Sequence, residues 1–215
     1  MTVHCSHCGQ LLPQINPLVW LAWEQIPAQC HVKRAIEVAC TGKHSLAMLV
    51  TSNNLEIDAA SLAYWANKYG AQTIVVTPCP CGNYGSPTHE CTCATELIAE
   101  HRQLPVWQMA EHVDMWIELV EPTTNQKLDS RPQESITHML TRIAKARLPD
   151  QSIKLDELDD GCMQLLSAVV RQLDLSTWQI QRVLNVATTI MALAGAKKMH
   201  AAHLAEAVQY RYRQT

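Results

Sequence analysis

Four cysteines on one short stretch carry the most specific chemistry in this chain. Residues 78–93 read PCPCGNYGSPTHECTC, which places Cys79, Cys81, Cys91 and Cys93 as two C-x-C pairs on the arms of a single loop. Four thiolates converging in this way suit a tetrahedral ion, and Zn²⁺ is the usual choice for four soft ligands. Gly82 and Gly85 permit tight turning where side chains would obstruct ligation, while Asn83, Ser86 and Pro87 fit a surface loop. His89, two residues before Cys91, reads either as a replacement ligand or as a neighbouring surface group. The competing reading of the stretch is four reduced cysteines packed in a hairpin without metal. A second, incomplete pattern lies at Cys5 and Cys8, one zinc-ribbon knuckle followed by Gly9. Its partner knuckle is missing. Cys30 and His31 could complete it, against the alternative of an untethered terminus.

These side chains need elements to hold them. Val32, Ala35, Ile36 and Ala39 recur at helical spacing, predicting a helix over 28–41 with Gly42 at its end. An apolar run at 46–52 is of strand length. A helix over 55–69, opened by Asn53 or Asn54 and ended by Gly70, leads to a second buried strand at 73–77. Strand, helix and strand in so short a span predict a βαβ unit with parallel strands, delivering the chain into the cysteine loop. A short helix over 94–103, stopped near Pro105, precedes an alternating strand at 113–119. The polar, turn-rich stretch from Pro122 to Pro132 marks a domain boundary. Beyond it the pattern is helical. Ile136, Met139, Leu140 and Ile143 form one stripe, and Leu165, Leu166, Val169, Val170 and Leu173 another. Ser176 with Gln179 is a capping box opening a helix to about Ala194, and His200–Arg211 is a last helix. Ordinary core packing accounts for the Met and Leu stripes.

Composition narrows the function classes. The 215 residues hold 47% apolar and 17% charged side chains at a net charge of −3, with six Trp and no Phe. That balance offers no general attraction to nucleic acid or an anionic membrane. No run approaches the roughly 20 apolar residues of a spanning helix. The start lacks the charged and apolar blocks of a signal peptide, and nine cysteines, four of them in C-x-C pairs and two in a C-x₂-C, fit a reducing compartment better than a disulfide framework. The expected location is the cytoplasm.

The stretch P-C-P-C-G followed by H-E-C-x-C resembles the ComM/YifB branch of the magnesium-chelatase-like AAA+ ATPases. The likeness extends over Gly42-Lys43-His44-Ser45-Leu46 and over residues 113–119, which resemble the strand closing an AAA+ core. Arg182-Val183-Leu184, Leu193-Ala194-Gly195 and Ala202 to Ala207 resemble the family's C-terminal helical lid. It covers most of the chain from about residue 24 onward and leaves out the N-terminal knuckle.

Against that family, the nucleotide chemistry is missing. A phosphate loop needs G-x-x-x-x-G-K-[ST] after its first strand, and here Asn53 to Asp58 follow, with no Gly or Lys. Leu155-Asp156-Glu157-Leu158 spells a Walker B-like motif without a buried strand before it, and its acids suit the start of a lid helix. About 30 residues separate Gly42 from Thr73, too few for the family's Walker A helix, insert and Walker B strand. Thr77 stands where the family carries its sensor Asn, and Leu104, His112, Asn185 and Thr188 stand at expected arginines. None of these last four can make a permanent, bidentate phosphate contact.

The resulting expectation is an α/β fold: a truncated AAA+-like parallel sheet with flanking helices, then an all-α helical lid. Its divisions are an N-terminal arm (1–23), a degenerate α/β domain (24–122) and a C-terminal magnesium-chelatase-like domain (132–215). The expected function is a non-catalytic, zinc-stabilised binding or scaffold module that takes no ATP, its partner an AAA+ ATPase or a second copy. The alternatives are an ATP-driven helicase or chelatase motor, and a zinc-dependent nucleic-acid binder.

Overall fold

The computed structural model describes residues 21–26, 29–122, 134–150 and 153–211. Three strands, β1 (Ser45–Val50), β2 (Gln72–Val76) and β3 (Met115–Leu119), form a wholly parallel sheet in the order β2-β1-β3. Eight α-helices accompany them among the described residues. They are α1 (Cys30–Gly42), α2 (Glu56–Lys68), α3 (Thr95–Arg102), α4 (Pro105–Glu111), α5 (Ile136–Lys145), α6 (Asp160–Leu173), α7 (Thr177–Leu193) and α8 (Ala201–Gln209). The fold is α/β with a small parallel sheet and a helical C-terminal part, in line with the expected class.

The predicted βαβ unit is β1-α2-β2, and the return to β3 runs through α3 and α4. Pro105 does more than stop a helix. It occupies the first turn of α4, where a missing N–H costs nothing, so one helix ends and another opens across it. The third strand begins at Met115 rather than residue 113, because Asp114 serves a different purpose. Its carboxylate accepts hydrogen bonds from the backbone N–H (2.9 Å) and hydroxyl (2.8 Å) of Ser45, fastening the starts of β1 and β3 together.

Alternation along the strands feeds two cores. Leu46, Met48 and Val50 of β1 join Met115, Ile117 and Leu119 of β3 on one face. Ala47, Val76 and Trp116 pack on the other face against Trp107 and Ala110 of α4. The first core does not stop at the sheet. It continues through Val32, Ile36 and Val38 of α1 into Leu184 and Ile190 of α7, then Leu204 of α8. Helix α1 is therefore buried on nearly all sides, between the sheet and the C-terminal helices.

Gly42 closes α1, but the left-handed residue there is Lys43 (φ 54°). What Gly42 provides is room: a Cβ would overlap His44 Nε2 and Thr189 Oγ1. Those two atoms hydrogen-bond at 2.8 Å and join the end of α1 to α7. The capping box at Ser176 and Gln179 forms as the sequence predicts. Asp156 and Glu157 lie in an exposed 3-10 turn before α6 and not on a strand.

Candidate metal centre

β2 ends at Val76 and the chain passes through Thr77 and Pro78 into the first cysteine. Cys79 is wholly buried. The turn that follows is closed by the Gly82 N–H donating to the Cys79 carbonyl (3.0 Å), while the Tyr84 N–H donates to Cys79 Sγ (3.3 Å). That turn brings Cys81 back beside Cys79, and the returning arm brings Cys91 and Cys93 to the same place. The Sγ atoms of Cys79 and Cys81 are 3.4 Å apart, Cys79 and Cys91 3.7 Å, and Cys81 and Cys91 3.6 Å. All four ligand atoms lie within 4.8 Å of one another.

A tetrahedron with metal–sulfur bonds of about 2.3 Å has sulfur–sulfur edges of about 3.8 Å. The observed spacing is close to that, so the four cysteines can hold a metal ion. Their protonation points the same way. Burial opposes ionisation of Cys81, but the backbone N–H groups of Asn83 and Thr92 and the neighbouring Cys79 and Cys93 favour its thiolate, bringing it down to about 6. Burial raises Cys79, and Cys91 and Cys93 are raised too. A bound dication would stabilise the thiolate form of all four.

The loop leans on the carboxyl ends of the strands. Gly82 (φ 78°) meets Asn53 so closely that a Cβ would overlap Asn53 Oδ1. The far side of the loop meets Glu121, just past β3. Glu121 accepts from the Ser52 hydroxyl and from Asn54 Nδ2 (3.1 Å), and its carboxylate lies 3.4 Å from His89 Nδ1. Chiefly through the Ser52 hydroxyl, with Thr88, Asn54 and His89 adding to it, the Glu121 carboxyl titrates below the usual range. Because the chain leaves β1 for β2 on one side and returns to β3 on the other, this lies at the point where strand order reverses. Open α/β sheets take ligands in that crevice. Here a carboxylate and the cysteine loop fill it.

Of the residues singled out in the sequence, Cys79, Cys81, Cys91 and Cys93 come together. His89 lies apart from the four sulfurs, with Nδ1 on Thr88 (2.8 Å) and Nε2 towards Asn54 (3.5 Å). Cys5 and Cys8 lie outside the described residues. Cys30 is exposed, and His31 donates from Nε2 to the Glu118 carbonyl (2.9 Å) on the outer edge of β3. Sequence reasoning passed over Glu121 and Ser52, and read Asn54 only as a candidate helix cap. The signal was an acid just past one strand and hydroxyl and amide groups just past another.

Behind the loop, buried His101 donates from Nε2 to the Thr77 carbonyl (2.9 Å) and so holds α3 to the end of β2. The Arg102 guanidinium lies 5.3 Å from the Tyr84 ring and 5.9 Å from the Trp107 ring, linking the loop to α4.

Residues 123–211 match the family model described as magnesium chelatase, subunit ChlI C-terminal. The match takes in α5 to α8 and stops short of the sheet and the cysteine loop. No curated protein matches the chain.

Proposed function

Because residues 123–211 match the family model described as magnesium chelatase, subunit ChlI C-terminal, we propose that the chain is a non-catalytic, AAA+-derived binding module. Zn²⁺ held by Cys79, Cys81, Cys91 and Cys93 stabilises its cysteine loop, and the module works in the reducing cytoplasm. Its partner is an AAA+ ATPase or a second copy of this chain. The observation that carries this reading is the filled crevice. Glu121 already occupies the end of the sheet with a carboxylate, and a phosphate brought there would meet like charge and a closed loop. The sequence after β1, Asn53 to Asp58, supplies neither the glycines nor the lysine of a phosphate loop, in keeping with that arrangement.

Three measurements test it. Metal analysis of the purified chain should give one zinc per chain, lost in Cys81→Ser. Titration with Mg²⁺–ATP should give no heat at micromolar concentration, and nucleotide turnover abolished by changing a residue of this chain would end the proposal. Co-purification from the native host should recover an AAA+ ATPase or a self-assembly; repeated recovery of the single chain alone would count against the partner.

A further inference from the structure

The two arms of the loop present their sulfurs unequally. Cys79 is wholly buried, with Tyr84 N–H directed at its Sγ. Cys81 and Cys91 are both half-buried, on opposite arms, with Sγ atoms 3.6 Å apart. Cys79 and Cys81 are closer, at 3.4 Å, but a disulfide between residues separated by one position closes a small, strained ring. Cys93 is half-buried as well, so a small oxidant can reach two pairs across the loop without such strain, and the 3.6 Å contact between Cys81 and Cys91 selects theirs.

We propose that Cys81 and Cys91 form an oxidative modification site: a hydroperoxide joins them as a cross-arm disulfide and expels the metal. The inference rests on the metal reading above. The Cys81 thiolate attacks one peroxide oxygen; an S–O bond forms, the O–O bond breaks, and the departing hydroxide takes a proton to become water. The Cys91 thiolate then attacks the sulfenic sulfur. The S–S bond forms, the S–O bond breaks, and a second hydroxide leaves and is protonated. The two sulfurs lose two electrons and the peroxide gains them, while zinc stays divalent throughout. Left with Cys79 and Cys93, it no longer has the four ligands of a closed site and leaves as the aquo ion.

The test uses the zinc-loaded full chain and one molar equivalent of hydrogen peroxide. Released zinc is followed with a chromogenic chelator, and free thiols are counted alongside. Digestion after glutamate then separates a fragment 57–90, holding Cys79 and Cys81, from 91–96, holding Cys91 and Cys93. The expected result is zinc release in step with the loss of two thiols, the two fragments joined until reduced, and zinc uptake restored by dithiothreitol. Cys93→Ser should still give joined fragments, and Cys91→Ser should not. Zinc retained under excess peroxide, a bond confined to fragment 57–90, or sulfinic acids without joined fragments would overturn it. A chain purified without metal refutes the metal reading instead, and the same digest then decides the pairing alone: joined fragments keep the disulfide assignment, and separate fragments end it.

Discussion

At the scale of single residues, the centre depends on a few positions that tolerate little change. Gly82 has a left-handed backbone and no space for a side chain beside Asn53. Gly82→Ala combines a conformational cost of about 1–2 kcal/mol with a steric clash, so the loop should lose metal affinity by about tenfold or more. Competition with a zinc chelator reads this directly; an unchanged affinity would mean that the loop does not need its contact with Asn53. The sulfurs themselves were legible because all four ligands fall within one short loop, where spacing alone constrains geometry. Glu121 was not. Its partners Ser52 and Asn54 lie 69 and 67 residues away, and only the parallel pairing of β1 with β3 brings them together. The lone acid at 121 reads as loop polarity until that pairing is known.

At the scale of elements, α1 is where charge and packing decide the arrangement. Glu37 is buried near its centre and bound by Arg34 (2.9 Å) of the same helix and Arg142 of α5. Arg34 continues to Glu206 of α8 (2.8 Å), and Arg142 to Glu134. Removing the central carboxylate takes from both guanidiniums the partner they share, although each keeps a second carboxylate and is partly open to water. Glu37→Gln should therefore cost about 2–3 kcal/mol, below the 3–5 kcal/mol seen where an orphaned charge is fully buried. Urea denaturation measures it. The α1–α7 junction adds a pH dependence. Burial lowers the His44 titration point, so folding favours its neutral form. Stability from this site is fully present above the ordinary histidine value of about 6.5 and is lost as pH falls through the lowered one. His44→Gln should flatten the decline in stability between neutral and mildly acidic pH; parallel slopes in the two proteins would remove His44 as its cause. Helix periodicity foretold α1, α2 and α5 to α8. It did not foretell α4, because Pro105 reads equally as a stop and as a first-turn residue, and only the burial of Trp107 against Trp116 selects the second.

At the scale of the whole molecule, apolar packing joins elements on both sides of the polar stretch 122–132. The apolar side chains of α7 and α8 meet those of α1, and α1 meets the sheet, in one unbroken core. Local sequence reports a loop between helical and α/β patterns, but not which faces later pack together. This changes what metal loss should do. Structural zinc contributes about 10–16 kcal/mol in modules that have little else, whereas here a large apolar core stands apart from the loop. Chelation should raise hydrogen exchange across 78–94 and leave α1 and α7 protected. The same continuity forbids the C-terminal helices from melting alone. Leu184, 1% exposed on α7, should cost about 2–5 kcal/mol when changed to Ala. In a variant that keeps only Trp107 and Trp116 of the six tryptophans, both on the sheet's far side, fluorescence should then shift its denaturation midpoint together with the helical circular dichroism. Two separated transitions, with the tryptophan signal unmoved, would show instead that the helices form an independent unit resting on the sheet.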